Sequence, residues 1–415
     1  MALKPWLGFS LCSCLALTGC GAKAPEGTGG FQLSPNGSAC PAGYAVSNSD
    51  YTSTNVSALS PTGAVLSESV ISSGSAPPGL TTALSGDVVF PSTAPASGKL
   101  LLIDRYPNSV LTWVEPSTGV VSQQLPVGTG FAANPHDYLE LAKDKAYVSR
   151  YESNPTPGRG DFDAGGDLLI VDPSANAITG RIDLTAEGDG AFLPRADRLL
   201  LVGHEVWVSL HRFDADFKSA GDARIVGLNP SQNEISWTLD LPGTANCGGV
   251  ARSPSGNLVA LACSGAYSDV DSEQKPAEAL RSDLVLLDAT QEPPVVLRHF
   301  AAATQLGAPL GSTIAFASET LLVAVALGDA TANRTDLAFT LDTQEGTPHV
   351  LLDAGAAFAL GEVQCAPGCS DSCFLADAQA NELHLWKIVG GALVPGPSVH
   401  TDPSIGLPPR AIGRL

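Results

Sequence analysis

From about residue 40 to the carboxyl terminus, short apolar runs alternate with turns rich in glycine, proline, asparagine, aspartate and serine. Runs of this length bounded by such turns are typical of β-strands. No stretch follows the helical period through three turns. The pattern therefore predicts an all-β fold, and the alternatives are a barrel, a sandwich or a propeller.

An internal repeat decides among these alternatives. Each unit contains a strand, a loop, a second strand, a turn and a third strand. Three clear units span 99–127, 145–184 and 205–241. Three less regular units span 257–293, 320–346 and 373–391. In the clear units the turn begins with an acid or amide followed by Pro-Ser, at Glu115, Asp172 and Asn229. Proline presets φ for such a turn, and the polar side chain can accept hydrogen bonds from turn amides.

A seventh unit is divided between the two ends of the chain. Residues 43–51, 54–65 and 66–72 look like the second, third and outermost strands of a first blade, and 409–415 can supply its innermost strand. Sharing one sheet between both ends removes exposed sheet edges. We therefore expect a seven-bladed β-propeller closed by its N- and C-terminal strands.

The repeat unit resembles the YVTN/YncE-type bacterial propellers over residues 80–390. The nearest counterpart to a literal YVTN is Tyr147-Val148-Ser149-Arg150. The resemblance implies the architecture, whereas a ligand shared with that family does not follow from it.

The first 39 residues precede the repeats and predict export. Lys4 followed by an apolar run has the order of a secretory signal. Leu17-Thr18-Gly19-Cys20 resembles the lipobox of bacterial lipoproteins, which implies cleavage before Cys20 and acylation of its thiol. The alternative is an ordinary signal peptide followed by an unrelated cysteine. We expect a signal peptide over 1–19, a lipidated Cys20 with a flexible tether over 20–39, and the propeller over 40–415.

The residue after Cys20 is glycine, and by the sorting rule of enteric lipoproteins this favours the outer membrane. The sequence leaves open whether the propeller faces the periplasm or the cell surface. A net charge of −20 argues against nucleic acid as a partner, because phosphate binding needs clustered lysine and arginine. A monomer is expected, with the membrane as one partner and a protein, peptide or glycan as another.

Six of the nine cysteines follow Cys20. An even number in an exported protein predicts disulfides among Cys40, Cys247, Cys263, Cys365, Cys369 and Cys373. Cys247 and Cys263 are expected to be neighbours in one sheet, and a bond from Cys40 into the last three would fasten the ring closure. A zinc site at Cys365, Cys369 and Cys373 is the alternative, although the spacing matches no common site.

Arginine-aromatic pairs recur at the ends of three predicted second strands, and the candidate ligand-binding face they define contains Arg105, Tyr106, Arg150, Tyr151, His211 and Arg212. Such an arc could bind an anionic or aromatic ligand. The alternative is that each arginine pairs with a carboxylate of a neighbouring blade, such as Asp104, Asp137 or Asp161.

Asp161, Asp163 and Asp167 have part of the spacing of a calcium loop, with aspartate at positions one and three and glycine at six. The alternative is an acidic, solvated loop. Calcium is thus the one cofactor the sequence suggests.

No motif for nucleophilic or metal-assisted catalysis is present in the sequence. The residues assigned to innermost strands, 249–253 and 312–318, are mostly small or apolar, which weighs against a catalytic channel. The favoured function is therefore a non-enzymatic binding or scaffold lipoprotein. The alternatives are a lactonase-type hydrolase with a divalent cation in the central channel, and a structural envelope component.

Overall fold

Seven four-stranded antiparallel sheets form a ring in the computed structural model, which describes residues 40–267 and 273–415. The predicted signal peptide (1–19), Cys20 and the tether (20–39) lie outside the described residues. No helix within the described ranges is both long and apolar enough to cross a bilayer.

The first four blades follow the chain. Blade 1 contains β1 (Tyr44–Ser49), β2 (Thr54–Leu59), β3 (Val65–Ser72) and, from the other end of the chain, β28 (Pro409–Arg414). Blade 2 contains β4 (Val88–Val89), β5 (Leu100–Asp104), β6 (Val110–Val114) and β7 (Val121–Pro126). Blade 3 contains β8 (Pro135–Ala142), β9 (Lys145–Arg150), β10 (Asp167–Asp172) and β11 (Ala177–Asp183). Blade 4 contains β12 (Ala196–Val202), β13 (Glu205–Leu210), β14 (Ala223–Asn229) and β15 (Glu234–Leu241).

The last three blades complete the ring. Blade 5 contains β16 (Cys247–Arg252), β17 (Leu258–Ser264), β18 (Ser282–Asp288) and β19 (Val295–Phe300). Blade 6 contains β20 (Leu310–Phe316), β21 (Leu321–Ala326), β22 (Leu337–Asp342) and β23 (Pro348–Asp353). Blade 7 contains β24 (Leu360–Cys365), β25 (Ser372–Asp377), β26 (Glu382–Val389) and β27 (Ala392–Pro395). Two α-helices, α1 (Lys275–Ala279) and α2 (Ala302–Leu306), lie in connections of blades 5 and 6.

The core lies between neighbouring blades rather than at the centre of the ring. Second and third strands are buried on both faces, as β5 and β6 illustrate, whereas the outermost β15 alternates between exposed and half-buried residues. One apolar cluster joins Tyr44 and Ile412 of blade 1 to Phe374 and Leu385 of blade 7. Together with the pairing of β28 with β1, this cluster confirms the predicted closure by both chain ends.

Two of the three predicted turns between third and outermost strands have the expected side-chain cap. A carboxylate oxygen of Asp172 accepts hydrogen bonds from the backbone N–H groups of Ser174 and Ala175. In the corresponding turn of blade 4, Asn229 accepts from the N–H of Ser231. These two turns satisfy their own amides through the side chain before proline. In blade 2 the turn amides instead donate to the backbone carbonyl of Glu115, whose carboxylate pairs with Lys99.

Three disulfides are present, in agreement with the sequence. Cys247 bonds to Cys263 between β16 and β17, and Cys365 bonds to Cys373 between β24 and β25. Cys40 bonds to Cys369, which joins the chain before blade 1 to blade 7. All three cysteines of the alternative zinc site are therefore used in disulfides.

Candidate functional site at the upper mouth of the central channel

The connections from second to third strands, such as 50–53 and 105–109, emerge on one face of the ring, which we call the upper face. Connections from an outermost strand to the next innermost strand, such as 354–359, emerge there too. The opposite side is the lower face. Innermost strands begin near the upper face, and in six of them the second residue occupies the equivalent position. These residues are Gly248, Gly311, Gly361, His136, Asp197 and Arg410. Three blades thus leave space where three others place chemically active side chains.

The channel contains a cavity at each end. The upper cavity has a volume of about 300 Å³ and is lined in part by Tyr51, Phe358 and Arg410. The lower cavity has a volume of about 500 Å³ and is lined in part by Pro41 and Arg414. Arg198, Ser312, Thr313 and Glu362 line both, so they form the neck between the two cavities.

Arg198 and Glu362 are the charged groups of this neck. Burial raises the pKa of Glu362, and the charge of Arg198 offsets part of this increase. Burial alone would lower the pKa of Arg198, but the carboxylates of Asp197, Glu362 and Asp137 outweigh it and raise that pKa. The guanidinium therefore stays charged in the channel wall. Its Nε lies 3.4 Å from the carbonyl oxygen of Gly248, and no other described residue accepts a hydrogen bond from its side chain.

Asp197 connects two imidazoles beside the channel. Its Oδ1 lies 2.6 Å from Nδ1 of His136, and its Oδ2 lies 2.9 Å from Nε2 of His211. The hydroxyl of Tyr151 lies 3.0 Å from Nδ1 of His211, and the Tyr151 ring stacks on His136 with centroids 4.2 Å apart. We call Tyr151, His211, Asp197 and His136 the channel cluster.

Gly248 lets blade 5 pack closely against the channel cluster. A Cβ atom at this position would lie 3.2 Å from Oδ2 of Asp197 and 3.2 Å from Cε1 of His211. The glycine therefore brings the backbone of blade 5 close to the carboxylate.

The pKa shifts define the protonation of the channel cluster. Burial lowers the pKa of His136 to about 4, and its hydrogen bond with Asp197 only partly opposes this effect. Burial alone would raise the pKa of Asp197, but His211, His136 and Arg198 outweigh it and hold that pKa well below its ordinary value. At neutral pH His136 is therefore uncharged and Asp197 is ionised. Because an ionised carboxylate only accepts, Nδ1 of His136 carries the proton and Nε2 is the basic atom.

Tyr51, Arg410 and Phe358 form a rim around the upper cavity. The guanidinium of Arg410 lies 5.0 Å from the centre of the Tyr51 ring and donates a hydrogen bond of 3.2 Å to the carbonyl oxygen of Phe358. The two aromatic side chains are 66% and 65% exposed. Among the residues described, only one further aromatic side chain is exposed, that of Tyr106, also on the upper face.

The structure divides the six residues of the predicted ligand-binding face. Tyr106 is exposed and Arg105 is half-buried at the upper cavity. Arg150, Tyr151, His211 and Arg212 are buried. The six therefore do not form one exposed arc, although Tyr151 and His211 meet in the channel cluster.

The arginines do pair with carboxylates, but with different ones from those suggested by the sequence. Arg105 binds Asp87 rather than Asp104. Arg150 makes two hydrogen bonds of 2.7 Å to Asp167, and Arg212 pairs with Asp189. Asp137, one of the expected partners, instead accepts hydrogen bonds from backbone N–H groups of Ser92, Tyr138 and Leu199. The arginines pair within their own blade or with the connection that precedes it, because these carboxylates emerge beside the same strand end.

The three aspartates of the predicted calcium loop have separate surroundings. Asp163 accepts hydrogen bonds from the backbone N–H groups of Gly158, Arg159 and Gly160, whereas Asp167 is buried against Arg150. Asp161 is exposed. Across 40–267 and 273–415, no three His, Cys, Asp or Glu side chains are grouped as metal ligands.

The expectation of small or apolar residues was made for 249–253 and 312–318 and holds for β16 and β20, whereas innermost strands of blades 3, 4 and 7 carry polar side chains. There β8, β12 and β24 contribute His136, Asp197 and Glu362. Aligning the second residue of each innermost strand was the signal that could have located this site. It was weak because the innermost strand varies more among the repeats than the second and third strands.

Comparison with known proteins supports the architecture alone. No protein-family profile and no curated protein sequence matches this chain. Among solved structures, a candidate 6-phosphogluconolactonase from Bacteroides fragilis is 10% identical with a TM-score of 0.55, over 90% of this chain and 97% of that one. A protein from Lactobacillus plantarum (11% identity, TM-score 0.57) and a candidate 6-phosphogluconolactonase from Bacteroides uniformis (12%, 0.54) each match 90% of this chain and 99% of theirs. At such identities the likeness establishes the seven-bladed β-propeller fold.

Proposed function

We propose that the protein is an exported lipoprotein, anchored to a membrane of the cell envelope through Cys20, whose propeller binds a protein, peptide or glycan at the upper mouth of its channel. The observation that carries the binding function is the rim of Tyr51, Arg410 and Phe358. Large aromatic side chains that stay exposed around a cavity are a feature of binding surfaces.

The charges at the upper mouth favour a ligand that carries a carboxylate. The chain has a net charge of −20, yet Arg105, Arg198 and Arg410 all line the upper cavity. Asp87, Asp336 and Glu362 line it as well, and Asp87 pairs with Arg105. Among the described residues no carboxylate forms an ion pair with Arg410, so this arginine is available to an anionic ligand. Arginine donors recognise carboxylates, and neighbouring aromatic faces hold a flat apolar surface. Peptides with an aromatic residue and glycans containing uronic acids both combine these features.

The position of Cys40 supports an outward-facing upper mouth. Cys40 is bonded to Cys369 in the connection between β24 and β25, and Pro41 lines the lower cavity. A membrane anchor at Cys20 therefore joins the propeller from its lower face. In this arrangement the rim lies on the side of the propeller opposite to the attachment.

Binding is tested with the full-length protein in detergent micelles and three sets of probes: uronic-acid oligomers, matched neutral oligosaccharides, and short acidic peptides containing an aromatic residue. We expect one acidic set to bind. Tyr51→Ala, Phe358→Ala or Arg410→Ala should each weaken that binding about tenfold or more, since aromatic and arginine anchors dominate interface energies. Val350→Ala, at an exposed position of the outermost β23, is the matched control. Equal binding of neutral probes, or unchanged affinity in all three rim variants, contradicts the proposal.

The anchor is tested separately. Cys20→Ser should move the protein from the detergent phase to the aqueous phase and abolish incorporation of a labelled fatty acid. Cys40→Ser removes a cysteine that follows the proposed anchor and should retain the label. A Cys20→Ser protein that still carries the label rules out acylation at this site.

A lactonase-type hydrolase is the second candidate, and the channel cluster at the same mouth favours it. The version with a divalent cation in the channel lacks support, because the described residues provide no group of three or more ligands for a metal.

A further inference from the structure

The lower cavity has a larger excess of positive charge than the upper cavity. Three arginines and three carboxylates line the upper cavity. Arg198, Arg252 and Arg414 line the lower cavity, and among its described lining residues Glu362 alone carries a carboxylate. The whole chain has a net charge of −20, so a local excess of guanidinium groups runs against its composition.

Arg252 and Arg414 occupy equivalent positions at the lower end of the channel. Each is the sixth and last residue of an innermost strand, β16 in blade 5 and β28 in blade 1. The innermost strands β20 and β24 lie between these two in the ring. They contribute Ala315 and Cys365 to the cavity wall. The two arginines therefore flank a stretch of wall made of small, apolar residues.

No carboxylate of the described ranges forms an ion pair with either of these arginines. Arg252 donates to the carbonyl oxygens of Leu201 and Gly256, each at 3.3 Å. Arg414 donates to Oε1 of Gln364 at 3.1 Å and to a carbonyl oxygen of blade 7 at 2.7 Å. Neutral acceptors fix the direction of a guanidinium group but do not cancel its charge. Both groups are therefore held in place and can still bind an anion.

Arg198 extends this positive charge to the neck of the channel. Its Nε lies 3.4 Å from the carbonyl oxygen of Gly248, and no described residue accepts a hydrogen bond from its terminal nitrogen atoms. Ser312 lies beside the same glycine, since a Cβ atom at Gly248 would be 3.0 Å from Cβ of Ser312. A guanidinium and a hydroxyl, both of which can donate to an anion, therefore lie close together at the inner end of the cavity.

The rest of the wall is largely apolar and is fixed by covalent bonds. Ile314, Phe316 and Val363 line the lower cavity. So do Cys365 and Cys369, and each of these belongs to a disulfide. A preformed wall lowers the entropy lost when a ligand binds. The volume of about 500 Å³ lies within the range of small-molecule sites.

We propose that the lower cavity binds a small organic anion, such as an aromatic carboxylate. The arginines hold its charged group, and its apolar body lies against the wall that blades 6 and 7 form. Charge-assisted hydrogen bonds from arginine to a carboxylate are among the strongest that proteins make. This site does not depend on the proposed function, because it lies on the opposite face and Arg252 and Arg414 do not line the upper cavity.

The test uses fluorine NMR on the full-length protein in detergent micelles, with protein-free micelles as the blank. The probes are 4-(trifluoromethyl)benzoate and the neutral 4-(trifluoromethyl)benzamide, which has the same ring. We expect the protein to broaden the benzoate signal and to leave the amide signal close to that of the blank. Equal broadening of the two signals overturns the proposal, because the site is then not selective for an anion.

Four variants locate the binding of the benzoate. Arg252→Gln and Arg414→Gln should each weaken it about tenfold or more, since each removes a charged donor. Arg298→Gln is the matched control, because Arg298 also donates only to carbonyl oxygens but lies on the outermost β19. Arg410→Gln, which changes the upper cavity alone, should retain the binding. A loss confined to Arg410→Gln overturns the lower site and leaves the proposed function standing.

A crystal of the wild-type protein soaked with 4-iodobenzoate gives a readout that needs no variant. Anomalous scattering locates the iodine atom. We expect it in the lower cavity, against the wall between Arg252 and Arg414. Iodine in the upper cavity alone, or at neither cavity, overturns the proposal.

Discussion

Cys40 is covalently bonded to Cys369, although 329 positions of sequence separate them, with their Cα atoms 5.4 Å apart. The bond lies beside β28, the carboxyl-terminal strand that completes blade 1. It therefore reinforces by a covalent link the closure that the hydrogen bonds between β28 and β1 make. The ring is therefore fastened twice at the point where the propeller begins and ends.

Replacing both cysteines of this bond by serine should lower the free energy of unfolding by about 2–4 kcal/mol, because the unfolded chain regains the freedom of a very long loop. Urea unfolding of the oxidised proteins measures the loss. The matched control is Cys365→Ser with Cys373→Ser, whose bond spans a separation of only 8. We expect a smaller loss there, and an equal or larger one contradicts the argument from loop length.

Arg150 should be among the most sensitive positions of blade 3. Its buried guanidinium makes two hydrogen bonds to Asp167 and another of 2.6 Å to the hydroxyl of Thr129. Arg150→Met leaves the buried Asp167 carboxylate with Arg181 alone, at 3.1 Å, and should cost about 3 kcal/mol of unfolding free energy, the lower end of the range for a broken buried pair. Arg105→Met breaks the more exposed pair with Asp87 and should cost about 1 kcal/mol or less. Similar losses in the two variants would show that burial does not set the difference.

The sequence predicted the ring and its closure because these depend on features that repeat. Every blade must bury its second and third strands against a neighbour, so runs such as Leu100–Asp104 and Leu321–Ala326 recur at a regular spacing. The turn residues before proline recur for the same local reason. The fold could therefore be derived from local patterns alone.

The channel cluster could not be derived in this way, since it depends on blades 3 and 4 meeting beside the axis. Asp197 contacts His136 and His211, and these are 61 positions away on one side and 14 on the other. No spacing rule brings them together, and each looks like an isolated polar residue in a β-rich chain. The partners of Arg105, Arg150 and Arg212 escaped prediction for the same reason, because the choice among nearby acids depends on side-chain direction.

His136 should make the stability of the protein depend on pH. Its folded-state pKa is about 4 against about 6.5 for an ordinary histidine, so between these values the unfolded chain binds a proton that the folded protein does not. The free energy of unfolding should therefore rise with pH across this interval, by up to about 1.4 kcal/mol per pH unit from this group. His136→Gln removes the contribution, while the other buried groups are present in both proteins.

Urea unfolding at several pH values from 4.5 to 7 compares the slopes. The wild-type protein should lose stability faster than His136→Gln as the pH falls. Parallel curves for the wild type and His136→Gln would mean that the imidazole is no harder to protonate in the folded protein than in the unfolded chain.

Asp163 should hold the loop between β9 and β10 closed. Its carboxylate accepts backbone hydrogen bonds from Gly158, Arg159 and Gly160, and these bonds, that of Gly158 first, lower its pKa. Asp163→Ala removes all three acceptor contacts, and trypsin should then cut after the exposed Arg159 several-fold faster. Asp161→Ala, at an exposed position of the same loop, should be cut at the wild-type rate. Repeating the digestion with calcium separates two functions of the loop. If calcium protects the wild type but not Asp161→Ala, the loop contains a cation site. If calcium does not change the cleavage rates, Asp163 orders the loop through its backbone contacts alone.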